Sequence, residues 1–438
     1  MQIALIYPEV LDLARFKEKR KEFPPFGVMY LAAMAEQAGY EVAIHAISQE
    51  TKSLNLSAYD VVGFSIPSSA TYGVVKEVKD GSSYKEQVTM MVGGVHPNIY
   101  PRETFLDLRP DVLCVGEGEY TFLELLASLP TRDFSHVSGI YYMRDGQPFF
   151  TGYRDVDKNL DWLPLPARHL LPEETFVMSD RLSNTDIRMA HVMFSRGCPF
   201  KCTFCAVAQT KIQYRSGVHA RRELVQLVDQ YGIEGFAVTD DNFIVAPKKV
   251  LDIAHQVKDL GLSWSALSRV DTVNDILLHE IFDAGCIELK FGVESGSESI
   301  LRAMQKNTTR RQIVHTITQA RKIGIKVKAF VIHGYPGESM ETTHETLSLL
   351  EEIKSHIERV SLFRFVPLPG TYVFEHPDEF NLRNTNSDPS WDGDWSRYHI
   401  HHNNQHWWGT DDDFAEVERS YQYLRLFIET EWPATFHR

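Results

Sequence analysis

No apolar stretch of this chain approaches the roughly 20 unbroken residues that a membrane-spanning helix requires. Met1 leads straight into "QIALIYP", which reads as a strand and not as a secretory leader, so a cytoplasmic protein with no membrane partner is expected. Basic residues are also short. Lys and Arg number 45 against 59 Asp and Glu, a net charge of −14, which leaves no broad phosphate-binding surface and no expectation of nucleic acid as a partner. Cysteine is scarce, with five in 438 residues. That is no disulfide framework, and it fits a reducing compartment in which clustered thiols bind metal. What remains, 43% hydrophobic and 24% charged residues, is enough for two or three globular domains with a large core.

The first 130 or so residues alternate short apolar runs with helical patterns: "QIALIYP", "GVMYLAAMAEQAGY", "EVAIHAI", "YDVVGFSIP", "TYGVVKEVKD", "VTMMVGGVHP", "DVLCVGEGE" and "YTFLELLASL". Apolar runs with so little alternation belong to strands covered on both faces. With crossover helices between them they predict an α/β, doubly wound parallel sheet. Ligands of such sheets bind beyond the carboxyl ends of the strands, near the reversal of strand order. Small residues stand at those ends: Ser65 and Ser68 in "SIPSS", Gly93, Gly94 and His96 in "GGVHP", and Gly116, Glu117 and Gly118 in "GEGE". Each could be plain turn chemistry, but three such loops on one sheet edge point to a ligand. His45, inside a strand pattern, reads as a packed core histidine.

An Asp-Gly turn in "VSGIYYMRDGQPFFTG" predicts a hairpin. The proline-rich "DWLPLPARHLLP" after it marks a domain boundary. From about residue 190 a second series begins, with strands in "HVMFSR", "GFAVTDD", "SWSALSR", "IELKFGVES", "KVKAFVIHGY" and "RVSLFRFVP", separated by amphipathic stretches. Six βα units predict a partial (β/α)6 barrel, whose chemistry belongs at the carboxyl ends of its strands. The expected division is residues 1–135, a hairpin and linker over 136–184, the barrel over 185–375, and an α-rich C-terminal cap over 376–438.

Directly after the first barrel strand comes "SRGCPFKCTFCAV", with Cys198, Cys202 and Cys205. Three thiolates on one loop suit a 4Fe–4S cluster that keeps one iron open, whereas a closed zinc site needs a fourth ligand from elsewhere. Cys114 and Cys286 sit in strand patterns and read as small hydrophobes, so one cluster is expected.

This loop, "CPFKCTFC" in its βα setting, resembles the CxxxCxxC signature of the radical S-adenosylmethionine (SAM) superfamily, and the resemblance covers roughly residues 185–375. It implies that the open iron binds SAM and that reductive cleavage yields a 5′-deoxyadenosyl radical. By the same resemblance, Phe204 packs on the adenine. Thr239, Asp240 and Asp241, Ser268 and Arg269 (with Asp271), Glu294 and Ser295, and Gly334 in "VIHGYPGE" contact SAM at successive strand ends. "FVPLPGT" resembles the sixth-strand segment.

A doubly wound unit ahead of such a barrel, with "GGVHPNIYPRE" and "CVGEGEYTFLELL", resembles the cobalamin-binding branch of that superfamily over about residues 1–130. One signature is missing. "YPEVLDLARF" follows the first strand where many cobalamin proteins carry DxHxxG, so bound cobalamin without that imidazole ligand is expected, the alternatives being another group such as His96 on cobalt or a relic domain without cofactor. The resemblance implies methylation of an unactivated carbon or phosphorus of a small metabolite or peptide. Electrons would come from a donor such as flavodoxin or ferredoxin. Rearrangement, cyclisation or oxidation without methyl transfer is the alternative, and a zinc-binding scaffold is the non-enzymatic one.

The C-terminal stretch "WDGDWSRYHIHHNNQHWWGTDDDF" concentrates tryptophan and histidine in an aperiodic segment. It reads as a water-excluding lid, with a metal site at His399, His401, His402 and His406 as the lesser reading. "FAEVERSYQYLRLFIETEW" reads as a docking helix.

Overall fold

The computed structural model describes residues 1–9, 24–179, 187–383, 394–399 and 405–433. The chain forms two compact units: Met1–Asp157 with Trp162–Phe176 and Asp388–His399, and Lys158–Asp161 with Val177–Ser387 and Ile400–Arg438.

In the first unit, strands β1 (Gln2–Pro8), β2 (Glu41–Ile47), β3 (Val61–Ser65), β4 (Thr89–Gly93) and β5 (Val112–Cys114) lie parallel in the order β2-β1-β3-β4-β5. Strand order reverses between β1 and β3, the switch point at which such sheets bind ligands. Helices α1 (Phe26–Gln37), α2 (Tyr72–Gly81), α3 (Val95–Ile99), α4 (Pro101–Leu108) and α5 (Glu119–Ser128) connect the strands. Ile3, Leu5, Val61, Met91 and Val112 of the sheet pack with Val28 and Ala32 of α1 and Phe122 and Leu125 of α5. The unbroken apolar strands of the sequence are thus covered as a parallel sheet demands.

The hairpin assigned from sequence to a linker belongs to this sheet. β6 (Ile140–Arg144) pairs antiparallel with β5, and β7 (Gln147–Phe150) pairs with β6. Asp145 and Gly146 take φ of +53° and +76°, the left-handed pair of a tight hairpin turn. Burial of Ile140 and Tyr142 in the first core draws the hairpin onto the edge strand, which moves the unit's boundary beyond residue 135.

In the second unit, β8 (Arg188–Val192), β9 (Gly235–Val238), β10 (Ser263–Ser268), β11 (Cys286–Glu294), β12 (Lys326–His333) and β13 (Arg359–Arg364) lie parallel in chain order, with Val177–Ser179 antiparallel on the β8 edge. Their sheet curls into a partial barrel. Crossovers are made by α6 (Gly217–Tyr231), α7 (Pro247–Val257), α8 (Asp275–Asp283), α9 (Glu298–Ala303) with α10 (Arg310–Ile323), and α11 (Met340–Ile353). Their ends are written locally: Thr309 with Gln312 and Ser339 with Thr342 form reciprocal caps, and Gly232 and Gly324 terminate α6 and α10 in the left-handed region. The short α12 (Tyr372–Glu375) and the long α13 (Asp411–Glu431) follow. α13 docks through Arg364 on Glu418, the Met340 N–H on Glu416, and Ser420 on the buried His333. Among the described residues no helix is long and apolar enough to cross a membrane.

Charge is buried within this sheet. Glu288 of β11 is fully enclosed and takes the guanidinium of Arg359 from β13, and the Lys290 ammonium donates to Ser265 at 3.0 Å. Arg359→Met, which strips the cation from beside a buried carboxylate, is expected to cost about 3–5 kcal/mol. Calorimetric melting reads this as a lowered Tm of the second unit, which Arg359→Met combined with Glu288→Leu largely restores. An unchanged Tm in the single variant would show that the pair contributes nothing.

Candidate functional site

The thiol loop leaves β8 and is tied down before its first cysteine. Ser195–Arg196 pairs antiparallel with Gln213–Tyr214, closing the loop at its base. Asp240 accepts the Phe194 N–H at 2.9 Å and the Ser195 hydroxyl at 2.6 Å, and Asp241 accepts the Gly197 N–H at 3.2 Å. The Thr239 hydroxyl donates to the Val192 carbonyl at 3.0 Å. Of these three residues, which resemblance offers to SAM, Asp240 and Asp241 bond the loop and Thr239 bonds the end of β8. Burial pushes the Asp240 carboxyl up to about 8. Gly197, at φ +83°, is required: a Cβ there would lie 2.3 Å from the Lys211 carbonyl oxygen.

Within the loop, the Cys198 N–H donates to Thr210 at 2.8 Å, and the Cys205 N–H donates to the Cys202 carbonyl at 3.1 Å. The Thr203 N–H reaches the Met304 carbonyl at 3.0 Å, and its hydroxyl pairs with Tyr335 at 2.7 Å. Phe204 packs under the loop against the cluster of Ile300, Met304, Tyr335, Phe365 and Val373. Burial raises the Cys202 and Cys205 thiols, so they are held protonated until a cationic centre displaces the protons. Cys202 has the guanidinium of Arg269 on its sulfur, Nη1 to Sγ 3.2 Å. Asp271 holds the other side of that guanidinium at 2.8 and 2.9 Å, and the Phe200 ring lies under it at 3.9 Å. Three thiols on a tied loop with a buried cation at one sulfur fit an anionic iron–sulfur group. Among the described residues no three His, Cys, Asp or Glu side chains converge tightly enough for a single metal ion.

At the other strand ends, Glu294 sits at φ +63° and accepts the Lys306 ammonium at 2.8 Å, both side chains nearly enclosed. Lys306, in "MQKNTT", carried no signal in the sequence, because its partner lies twelve residues earlier on another element. Ser295 turns toward α11, with its hydroxyl 3.2 Å from Thr346. Ser268 stays local, on the Arg269 carbonyl and Thr272. The Gly334 carbonyl accepts the Trp408 indole N–H at 2.8 Å, and Gln405, His406, Trp407 and Trp408 line a cavity with His333, Arg364 and Phe365. Cys286 is enclosed in β11 and Cys114 ends β5 of the first unit.

In the first unit the small residues gather at the carboxyl edge. Ser65, Ser68, Gly93, Gly94, Glu117 and Gly118 are half-buried, and Gly116 is exposed, with open space where a Cβ would stand. Gly94, at φ +114°, is glycine for an internal reason: a Cβ would come within 2.6 Å of the Ile66 carbonyl oxygen. The Gly116 N–H donates to Asn98 at 2.7 Å, which ties two loops together. The small residues follow β3, β4 and β5 along the carboxyl edge, which fits a broad flat ligand. The loop after β1, where DxHxxG is missing, lies outside the described residues, as do His401 and His402.

His96 is fully enclosed. Its Nδ1 lies 2.9 Å from the Ser69 hydroxyl, and its ring is boxed by Tyr72, Tyr100 and Trp395 at 4.6, 5.6 and 5.1 Å. Trp395 arrives from Trp395–Tyr398, a short turn of the segment that sequence reading assigned to the cap but that packs within the first unit.

The matches to known proteins follow this division. Residues 192–350 match the radical SAM superfamily and residues 18–126 the B12 binding domain. An uncharacterised methyltransferase, PH0819 of Pyrococcus horikoshii, is 30% identical over 82% of this chain and 79% of its own. Cytidylyl-2-hydroxyethylphosphonate methyltransferase of Streptomyces wedmorensis is 27% identical over 84% and 83%. Among solved structures, the radical SAM methyltransferase TsrM of Kitasatospora setae, with cobalamin and a [4Fe-4S] cluster bound, superposes with a TM-score of 0.68 at 14% identity, covering 91% of this chain and 84% of that one, a likeness of fold. The chain belongs to the cobalamin-binding branch of the radical SAM superfamily. Its cofactors are a 4Fe–4S cluster, SAM and cobalamin.

Burial depresses His96 from its ordinary 6.5 to about 3. Between those values the unfolded chain binds a proton that the folded unit refuses. The stability from keeping this ring neutral is therefore complete above about pH 6.5 and falls by about 1.4 kcal/mol per pH unit below it. Urea midpoints of the first unit at pH 7.5 and 5.5 are expected to differ accordingly, and the difference shrinks in His96→Gln. An equal acid loss in that variant would assign it to other groups.

Proposed function

We propose that this protein is a methyltransferase that places a methyl group on an unactivated carbon or phosphorus of a small metabolite or peptide. The observation that carries the reading is the pairing, in one chain, of a tied three-thiol loop at a barrel mouth with a glycine-lined carboxyl edge of a doubly wound sheet. Two relatives named as methyltransferases, each matched over more than four-fifths of this chain, support it.

When bound, the cluster and SAM supply a 5′-deoxyadenosyl radical, and cobalamin supplies a transferable methyl group. The chain's residues do the rest. Cys198, Cys202 and Cys205 hold the cluster, Asp240 and Asp241 hold their loop, and Thr239 lies beside them at the strand end. Arg269, Ser268, Glu294, Ser295, Gly334 and Phe204 form the SAM site. Ser65, Ser68, Gly93, Gly94, Gly116, Glu117 and Gly118 form the corrin edge, while His96 stays within its aromatic box. Trp407 and Trp408 lie at the ends of β12 and β13, where apolar rings exclude water. A cytoplasmic flavodoxin or ferredoxin is the expected electron donor.

Anaerobic reconstitution is expected to load about four irons per chain, because three thiolates of one loop hold one cubane cluster. Cys202→Ala is expected to lose both the iron and the reductive cleavage of SAM, whereas Cys286→Ala keeps them. Turnover with a deuterated methyl donor, followed by mass spectrometry, is expected to give one 5′-deoxyadenosine and one S-adenosylhomocysteine per product, with label retained. A product of unchanged carbon count, formed with 5′-deoxyadenosine alone, would replace methylation by rearrangement, cyclisation or oxidation. The Co(II) paramagnetic spectrum is expected to lack nitrogen hyperfine structure, and its presence would bring His96 or another donor back as a ligand.

A further inference from the structure

We propose that Trp395 is a positioning residue for cobalamin: by closing over His96 it fixes α3, the short helical turn that sets the spacing of the three loops of the corrin edge. This rests on the reading of Ser65, Ser68, Gly93, Gly94 and Gly116 as that edge.

The loops that follow β3, β4 and β5 are tied to one another at α3. Toward β3, the Ile66 N–H donates to the Gly93 carbonyl at 2.8 Å and the His96 N–H to the Ile66 carbonyl at 3.1 Å, while the His96 Nδ1 lies 2.9 Å from the Ser69 hydroxyl. Toward β5, Oδ1 of Asn98 accepts the Gly116 N–H at 2.7 Å. The turn starts from Gly94, whose φ of +114° lets the two loops pass where a Cβ would stand 2.6 Å from the Ile66 carbonyl oxygen. Loops of glycine and serine have no bulk of their own to pack. Their spacing therefore depends on what α3 bonds.

A helix of one turn has no stability of its own, so α3 is held by what covers it. Its fully enclosed side chain is His96, and three rings close on that imidazole. Tyr72 opens α2 and Tyr100 precedes α4, so both belong to the crossovers around β4. Trp395 comes from about three hundred residues later and lies 5.1 Å from His96 and 5.3 Å from Tyr100. It is 6% exposed, and its turn, Trp395–Tyr398, packs on Ser69–Thr71 and on α2. The large apolar area of an indole is thus laid on the tie between the loops.

Two events therefore act on the same loops. With Trp395 docked, α3 and the loops that it ties are already ordered, and binding on them does not bear that ordering cost. Coupling between two such events is reciprocal, so a ligand on the three loops favours the docked turn to the same degree. Residues 394–399, which follow the last barrel strand in sequence, are by this reasoning part of what makes the first unit competent to bind a corrin.

The test is a titration of the full chain with hydroxocobalamin, read by the absorbance of the bound corrin, with amide exchange of residues 394–399 followed in parallel. Trp395→Ala is expected to weaken binding about tenfold, and Trp395→Phe to recover most of the loss. Phe134→Ala is the stability control, because the buried Phe134 packs on Tyr142 beside the first residue of β5, at the far end of that strand from the corrin edge. It is expected to lower Tm and to bind as the parent does. An equal loss of affinity in Phe134→Ala would assign the effect to general stability and overturn the proposal, as would Trp395→Ala binding like the parent. If Trp395→Ala does not fold, the parent decides: slower exchange at 394–399 in the presence of hydroxocobalamin supports the proposal, and unchanged exchange overturns it. A parent that binds no cobalamin would instead overturn the reading of the edge.

Discussion

Three thiols serve one cluster only when the loop carrying them cannot wander, and in this protein the restraint comes from the neighbouring strand. Asp240 and Asp241 at the end of β9 take the N–H groups of Phe194 and Gly197 and the hydroxyl of Ser195, and Gly197 turns where no side chain fits. Such bonds exist because parallel strands end on the same edge, so each strand's last residues reach the next strand's loop. Cysteine spacing, cation placement and the aromatic floor under Phe204 all presuppose this edge.

The same edge concentrates charge where water is scarce. Arg269 rests on the Cys202 sulfur with Asp271 on its far side, Asp240 holds the loop backbone, and Lys306 and Glu294 pair with each other, most of them enclosed. Buried charge persists only with such partners.

Dependence on distant chain is also plain in the first unit. His96 looked from sequence like the imidazole nearest to a bound corrin, yet it is closed in by Tyr72, Tyr100 and Trp395 and bonded to Ser69. Trp395 lies about three hundred residues further along the chain. Burial that keeps the ring neutral also turns it into packing. The sequence lacks DxHxxG after β1, and His96 is enclosed.

By itself the sequence determined what is periodic or local: two βα series, the Asp-Gly hairpin turn, and three thiols whose spacing within one loop needs no tertiary information. Tertiary structure alone decided which residues meet across elements. It moved the hairpin from linker to sheet, because the apolar faces of Ile140 and Tyr142 had only the first core to enter. It tied Asp240 and Asp241 to the thiol loop and Thr239 to the end of β8, paired Lys306 with Glu294, and brought Trp395 onto His96. None of these could be read in advance, for a physical reason: periodicity reports how a residue faces its own element, whereas an ion pair, a ring contact or a close backbone approach depends on where a second element is packed.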